Sequence, residues 1–135
     1  MLDYIKGTLV RADALNEEVV LEQGGIGFRL SVSKRFLDNL GSPGSDVLAY
    51  VELLIINERE MKLFGFSAEL ERELFRLICK NVRNVGPATA MKILGAGSVA
   101  QMKSAIANNE FGFFTSIKGI GGKTSERIVR ELRDA

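Results

Sequence analysis

The chain has 135 residues, 46% of them hydrophobic and 26% charged, which suits an ordinary globular protein with a real core, in one domain or two small ones. Its single cysteine, Cys79, and its lack of histidine exclude an intrachain disulfide and a Cys/His metal cluster, and they remove the commonest general base. The net charge of +1 hides an asymmetry: residues 1–66 carry 7 basic and 10 acidic side chains (−3), whereas residues 67–135 carry 11 and 7 (+4). Such a split predicts two modules, the second facing a polyanion.

In chain order, the first half reads as short strands. Leu2–Arg11 holds β-branched and aromatic residues around Gly7, which marks a bulge or a close backbone approach. Glu18–Gln23 follows, Gly24-Gly25 supplies a turn, and Ile26–Ser33 alternates Ile26, Phe28, Leu30 and Val32 against smaller or polar residues. Lys34–Leu40 fits one or two helical turns with Phe36, Leu37 and Leu40 inward. After the Gly41–Gly44 loop, Val47–Ile56 and Met61–Phe66 complete a set of five strands joined by Asn57–Glu60. Five strands with one helical insert predict a small closed barrel of the OB type.

At Ser67 the apolar period changes from two to nearly four. Ser67 is placed to cap a helix with Leu70, Leu74, Leu77 and Ile78 on one face. The domain boundary is expected near Phe66–Ser67, giving a barrel over 1–66 and an all-α module over 67–135, an α+β chain overall. Ser98 caps a further helix carrying Val99, Met102 and Ile106, and Asn108-Asn109 ends it.

Ile117–Arg133, IKGIGGKTSERIVRELR, is the most informative stretch. Gly119-Ile120-Gly121 predicts a tight turn pinned by one apolar residue and opening straight into a helix. The free N–H groups of Gly121, Gly122 and Lys123 then lie at the positive helix end, a site suited to phosphate. This is the pattern of a helix-hairpin-helix, which grips a nucleic-acid backbone without reading bases. A shift of 35 residues lays Asn84-Val85-Gly86 over Gly119-Ile120-Gly121, and matches Thr89 with Thr124, Lys92 with Arg127 and Ile93 with Ile128. Two copies predict a pseudo-twofold pair, each contacting one strand of a duplex. Asn84 stands where a glycine is wanted, and Asn tolerates the left-handed conformation. The expected phosphate-binding set is therefore Asn84, Val85, Gly86, Pro87 and Lys92 in the first copy. In the second it is Gly119, Ile120, Gly121, Gly122, Lys123, Thr124 and Arg127. Lys80 and Arg83 are placed to assist around the first copy, and Arg130 lies on the same side of the last helix as Lys123 and Arg127.

Gly122-Lys123-Thr124 is not a P-loop, because Ile117 stands where the first glycine is required and no strand precedes it. Glu110, Glu126, Glu131 and Asp134 show no clustering that would hold catalytic metal ions. No cofactor or metal is expected, nor a membrane span, since no run approaches the ~18 apolar residues needed. The opening MLDYIKGTLV is not a signal peptide, so a reducing, cytoplasmic setting is the default. Glu58 and Glu60 in the Asn57–Glu60 turn are an acidic tip that would repel phosphates from that surface.

Together these stretches resemble the RuvA family of Holliday-junction recognition proteins. The resemblance rests on Tyr4-Ile5-Lys6-Gly7, Gly24-Gly25-Ile26-Gly27-Phe28, Leu63-Phe64-Gly65-Phe66, Val85-Gly86-Pro87 and Gly119–Thr124 running into Glu126-Arg127, in that order. It implies an OB-fold domain and a tandem helix-hairpin-helix domain in a non-catalytic homotetramer that holds a four-way junction open on a basic face. It further implies an acidic pin at Glu58 and Glu60, although Arg59 stands where the family has a second consecutive acid. The family continues into a C-terminal domain that docks on a hexameric AAA+ motor, RuvB. That domain is expected to be missing here, so the chain should bind junctions without recruiting the motor. The competing readings are a helix-hairpin-helix glycosylase or nuclease, a general duplex-binding module, and a protein-interaction module in which the hairpins are only structural. The first lacks room for a catalytic Asp beyond the hairpin and lacks clustered acids.

Overall fold

The computed structural model describes residues 1–135. The chain divides into two compact units, Met1–Arg72 and Glu73–Ala135. In the first, β1 (Tyr4–Asp13), β2 (Glu18–Gln23), β3 (Ile26–Ser31), β4 (Asp46–Ile56) and β5 (Glu60–Phe66) form a closed barrel in the order β1-β2-β3-β5-β4, with α1 (Lys34–Asp38) between β3 and β4. All pairings are antiparallel except β3 with β5, which run parallel and meet at the one pair Ser31↔Phe64. This is the five-stranded OB arrangement.

The strand pattern explains the barrel interior. Leu9, Val19, Leu21, Leu30, Val32, Ala49 and Val51 are buried together, and Phe36 of α1 joins the same core. The expected alternation of β3 holds at Leu30 and Val32 but fades toward the turn, where Ile26 is exposed. Gly24 and Gly25 both have positive φ (62° and 82°) and close the β2–β3 hairpin as a two-residue loop. Gly7 turns out to be a close approach: a Cβ there would lie 2.5 Å from the Glu22 carbonyl oxygen. The bulge sits farther along β1, between Leu9 and Arg11.

The β4–β5 connection is tighter than the sequence suggested. Glu60 already belongs to β5 and pairs with Ile56, so the turn proper is Asn57–Arg59, closed by the Arg59 N–H donating to the Ile56 carbonyl at 3.2 Å. Asn57 and Glu58 both adopt left-handed backbone, with φ of 53° and 61°. Glu58 is thus at the tip and Glu60 at its base, both exposed.

The division between units lies within α2 (Glu69–Asn81), later than the expected Phe66–Ser67. Arg72 is the reason its first turn belongs with the barrel. This buried guanidinium donates to the Asp3 carbonyl at 2.6 Å and the Val51 carbonyl at 3.3 Å, pairs with the Asp3 carboxylate at 2.9 Å, and lies 5.6 Å over the Tyr50 ring. Two local expectations for α2 are corrected. Ser67 does not cap it; the first helical bond runs from the Arg72 N–H to the Ala68 carbonyl, and Ser67 lies one residue too early. The buried stripe is Leu74, Phe75 and Ile78, while Leu70 and Leu77 are exposed, so the apolar face is rotated from the leucine spacing.

The second unit continues with α3 (Pro87–Gly95), α4 (Val99–Ala107), α5 (Phe111–Thr115) and α6 (Gly122–Asp134). Its most deeply buried side chains include Phe75, Ile78, Ile93, Met102, Phe114, Ile128 and Val129. Ser98 caps α4 as expected, and does so reciprocally: its hydroxyl accepts from the Gln101 N–H while the Gln101 side chain accepts from the Ser98 N–H. Asn108 follows as C-cap and Asn109, with φ of 55°, ends the helix. No helix is long and apolar enough to cross a membrane.

Candidate nucleic-acid interface

The second unit repeats one backbone device twice. At the start of α3, Asn84 has φ of 67°; at the start of α6, its counterpart Gly119 has φ of 90°. Two residues on, Gly86 (φ −93°, ψ −176°) and Gly121 (φ −88°, ψ 179°) are the N-caps, with almost the same dihedrals. The hydrogen bonds match as well. Val85 donates to Val82 at 3.3 Å and Ile120 to Ile117 at 3.1 Å, while Ala90 donates to Gly86 at 3.0 Å and Ser125 to Gly121 at 2.9 Å. Val85 and Ile120 are equally buried, each at 5% exposure, and anchor their turns. The repeat expected from a 35-residue shift is thus present in the backbone as well as in the letters.

The difference between copies has a physical cause. Asn84 sits inside the left-handed basin that asparagine reaches at modest cost, whereas Gly119 lies beyond it, where only glycine is comfortable.

How these helices begin matters for binding. Helices α1 and α4 have serine hydroxyls on their first amides. Helices α3 and α6 start at Gly86 and Gly121 with no side-chain cap. The amides that precede the first helical bond, Ala88 and Thr89 in α3 and Gly122, Lys123 and Thr124 in α6, therefore have no intrahelical acceptor. Pro87 brings no N–H, so the first copy presents one donor fewer. A Cβ at Gly86, Gly121 or Gly122 would meet nothing within 4 Å, and all three glycines are exposed. Bare helix starts of this kind combine oriented N–H donors, a positive dipole end and an unobstructed approach.

Cations surround both turns. Lys80, Arg83, Lys92, Lys118 and Lys123 are exposed, and Arg127 is half-buried. On α6 the sided arrangement holds: Ile128 and Val129 are fully buried, Leu132 half-buried, and Lys123 and Arg130 exposed. Lys118 was missed in the sequence, although the shift that pairs the copies places it opposite Arg83.

Lys92 and Arg127 lie where the sequence did not anticipate. The Lys92 ammonium is 3.8 Å from where a Cβ on Gly119 would be, so it stands beside the second turn. The Arg127 Nη1 donates to the Arg83 carbonyl at 3.2 Å, across 44 residues, at the first turn.

Comparison with known proteins agrees with this geometry. The family described as "RuvA N terminal domain" matches residues 1–65, and the one described as "SAM-like Helix-hairpin-helix tandem" matches residues 75–134. A protein of Desulforudis audaxviator named Holliday junction branch migration complex subunit RuvA is 39% identical over 134 residues, covering 99% of this chain and 64% of that protein. Proteins of the same name from Chlorobium phaeobacteroides and Chlorobaculum parvum are each 40% identical over 134 residues, with 65% and 64% of their own lengths covered. The chain thus spans less than two thirds of the length of these relatives. A closed OB barrel, a tandem helix-hairpin-helix unit and this identity along 99% of its residues make the chain similar throughout to proteins of the RuvA family.

Proposed function

We propose that this protein binds four-way (Holliday) junction DNA by its shape, without reading sequence, and holds it open for branch migration by a partner ATPase. The observation that carries this reading is the pair of glycine-started helices, α3 and α6, with matching turn dihedrals and uncapped amides. Each would take one backbone phosphate through its free N–H groups, Ala88 and Thr89 in one case and Gly122, Lys123 and Thr124 in the other. Lys80, Arg83, Lys118 and Lys123 would add screened attraction. Phosphate contacts position a protein on DNA without specifying bases, so selectivity must come from the arrangement of several such clamps. The names of the relatives support the junction as that arrangement.

The reading extends to assembly. A homotetramer would offer eight hairpins to four duplex arms, and Glu58, with Glu60 behind it, would act as an acidic pin that keeps strands apart. RuvB, the hexameric AAA+ motor, would be engaged through a C-terminal domain outside these 135 residues. The protein itself would be a non-catalytic DNA-binding subunit working in the cytoplasm.

A solution mass measurement with and without a synthetic four-way junction tests assembly and substrate together. The expected result is a tetramer that binds the junction in preference to linear duplex of the same length. Equal affinity for both would reduce the protein to a general duplex binder. Metal-dependent cleavage of the junction would replace the reading with a nuclease.

A further inference from the structure

Lys92 and Arg127 occupy equivalent positions in the two copies, and each reaches the turn of the other. Arg127, on α6, donates to the carbonyl of Arg83, the residue immediately before left-handed Asn84. Lys92, on α3, places its ammonium beside left-handed Gly119. The exchange is reciprocal, and it lands at the left-handed residue in one case and at the residue just before it in the other.

We propose that Lys92 and Arg127 are positioning residues, a crossed pair of braces that hold each hairpin in register with the other; this rests on the phosphate-binding reading above. A donor on the Arg83 carbonyl fixes the peptide plane between Arg83 and Asn84, and that plane sets φ at Asn84. A non-glycine residue in left-handed backbone persists only when its surroundings hold it there. The guanidinium is suited to this task because its planar fork stays charged and keeps its direction. At Gly119 the backbone has more freedom to lose, and a cation alongside it restricts the turn from outside. Two turns secured in this way keep a constant spacing, which a clamp on two phosphate strands requires. A residue at either position that served only as a phosphate contact would have no need to reach the opposite copy.

The experiment uses the whole chain and the variants Arg127→Gln and Lys92→Met. The first readout is amide NMR without DNA. Arg127→Gln should shift and broaden the amides of residues 82–86 while leaving 119–122 close to wild type, and Lys92→Met should do the reverse. The second readout is junction affinity against salt. Arg127→Gln should bind about fivefold more weakly, the worth of one lost hydrogen bond, and Lys92→Met should weaken binding by less, in both cases with the slope of log affinity against log salt unchanged. A lost phosphate contact would instead reduce that slope by about 0.9. A reduced slope, or amides that move only in the variant's own copy or in neither, would overturn the braces. Should Arg127→Gln fail to fold, Lys92→Met at an exposed position carries both readouts. If the wild-type chain shows no salt-dependent DNA binding, the functional reading fails, and the NMR readout still decides the braces.

Discussion

Gly86 and Gly121 differ from the glycines of the strand turns in needing no glycine for their backbone. Their φ values of −93° and −88° with extended ψ suit any residue, and a Cβ would meet nothing within 4 Å. What a side chain would fill is the approach to the open amides. Gly121→Val should therefore melt near the wild-type temperature, losing no more than about 1 kcal/mol of capping preference. It should lose most of its junction affinity in a gel-shift titration; unchanged binding would remove Gly121 from the phosphate site. At the other unit's exposed tip, Glu58→Gln keeps the size of the side chain and removes the charge. The expected outcome is a change in the distance between junction arms, read by fluorescence energy transfer, with little change in affinity. The two residues were visible in the sequence for different reasons. Gly121 stands in a Gly-Ile-Gly turn, whereas Glu58 depended on finding the strand that precedes it. Arg59 lies beside Glu58 in the turn, and nothing in the fold explains why a base stands there.

At the scale of the element, α2 was the least legible part of the chain. Leucine spacing suggested one face, but the helix buries Arg72 and Phe75 and leaves Leu70 and Leu77 exposed. The buried Arg72 had no local signal at all, because its partner Asp3 lies 69 residues earlier. Arg72→Met would remove the guanidinium's bonds to the Asp3 and Val51 carbonyls and its pair with the Asp3 carboxylate, and should cost about 2–3 kcal/mol, measured by urea unfolding. A loss below 0.5 kcal/mol, the range of ordinary surface changes, would mean that the staple is not stabilising. One residue before it, burial pushes the Glu71 carboxyl above its ordinary 4.5, against the opposing pull of Arg35 and of the Ser67 amide. The folded state therefore holds this proton to higher pH than the unfolded state does. Stability from this group falls as pH rises from about 4.5 through the raised value, and the penalty is fully present at neutral pH. Glu71→Gln should equal or exceed the wild type in stability at pH 7 and lose that advantage on acidification, as followed by thermal melts across pH. The reverse trend would contradict the assignment.

For the molecule as a whole, the charge split, the change of period near Ser67 and the 35-residue repeat were enough to expect a barrel followed by paired hairpins. Strand alternation exposes which face turns inward, so Leu30 and Val32 could be placed in the core from the letters alone. The repeat, however, reports equivalence and says nothing about contact. That Lys92 and Arg127 cross to the opposite turns required coordinates, since helix direction decides it and spacing does not. The uncapped starts of α3 and α6 lie between these cases: the glycines and the Ser98 cap of α4 were legible, but the Ser33 cap of α1 was not.

The barrel closes where β3 and β5 meet through the single pair Ser31↔Phe64, whereas its other seams run for five or more pairs. A cylinder zipped along four seams and merely buttoned at the fifth has a built-in direction in which to breathe. Hydrogen exchange should find the amides directed into the β3–β5 seam near Ser31 opening through small fluctuations, while those bonded within the β1–β2 and β4–β5 ladders wait for global unfolding. Uniform protection around the ring would show the button to be as strong as the zips.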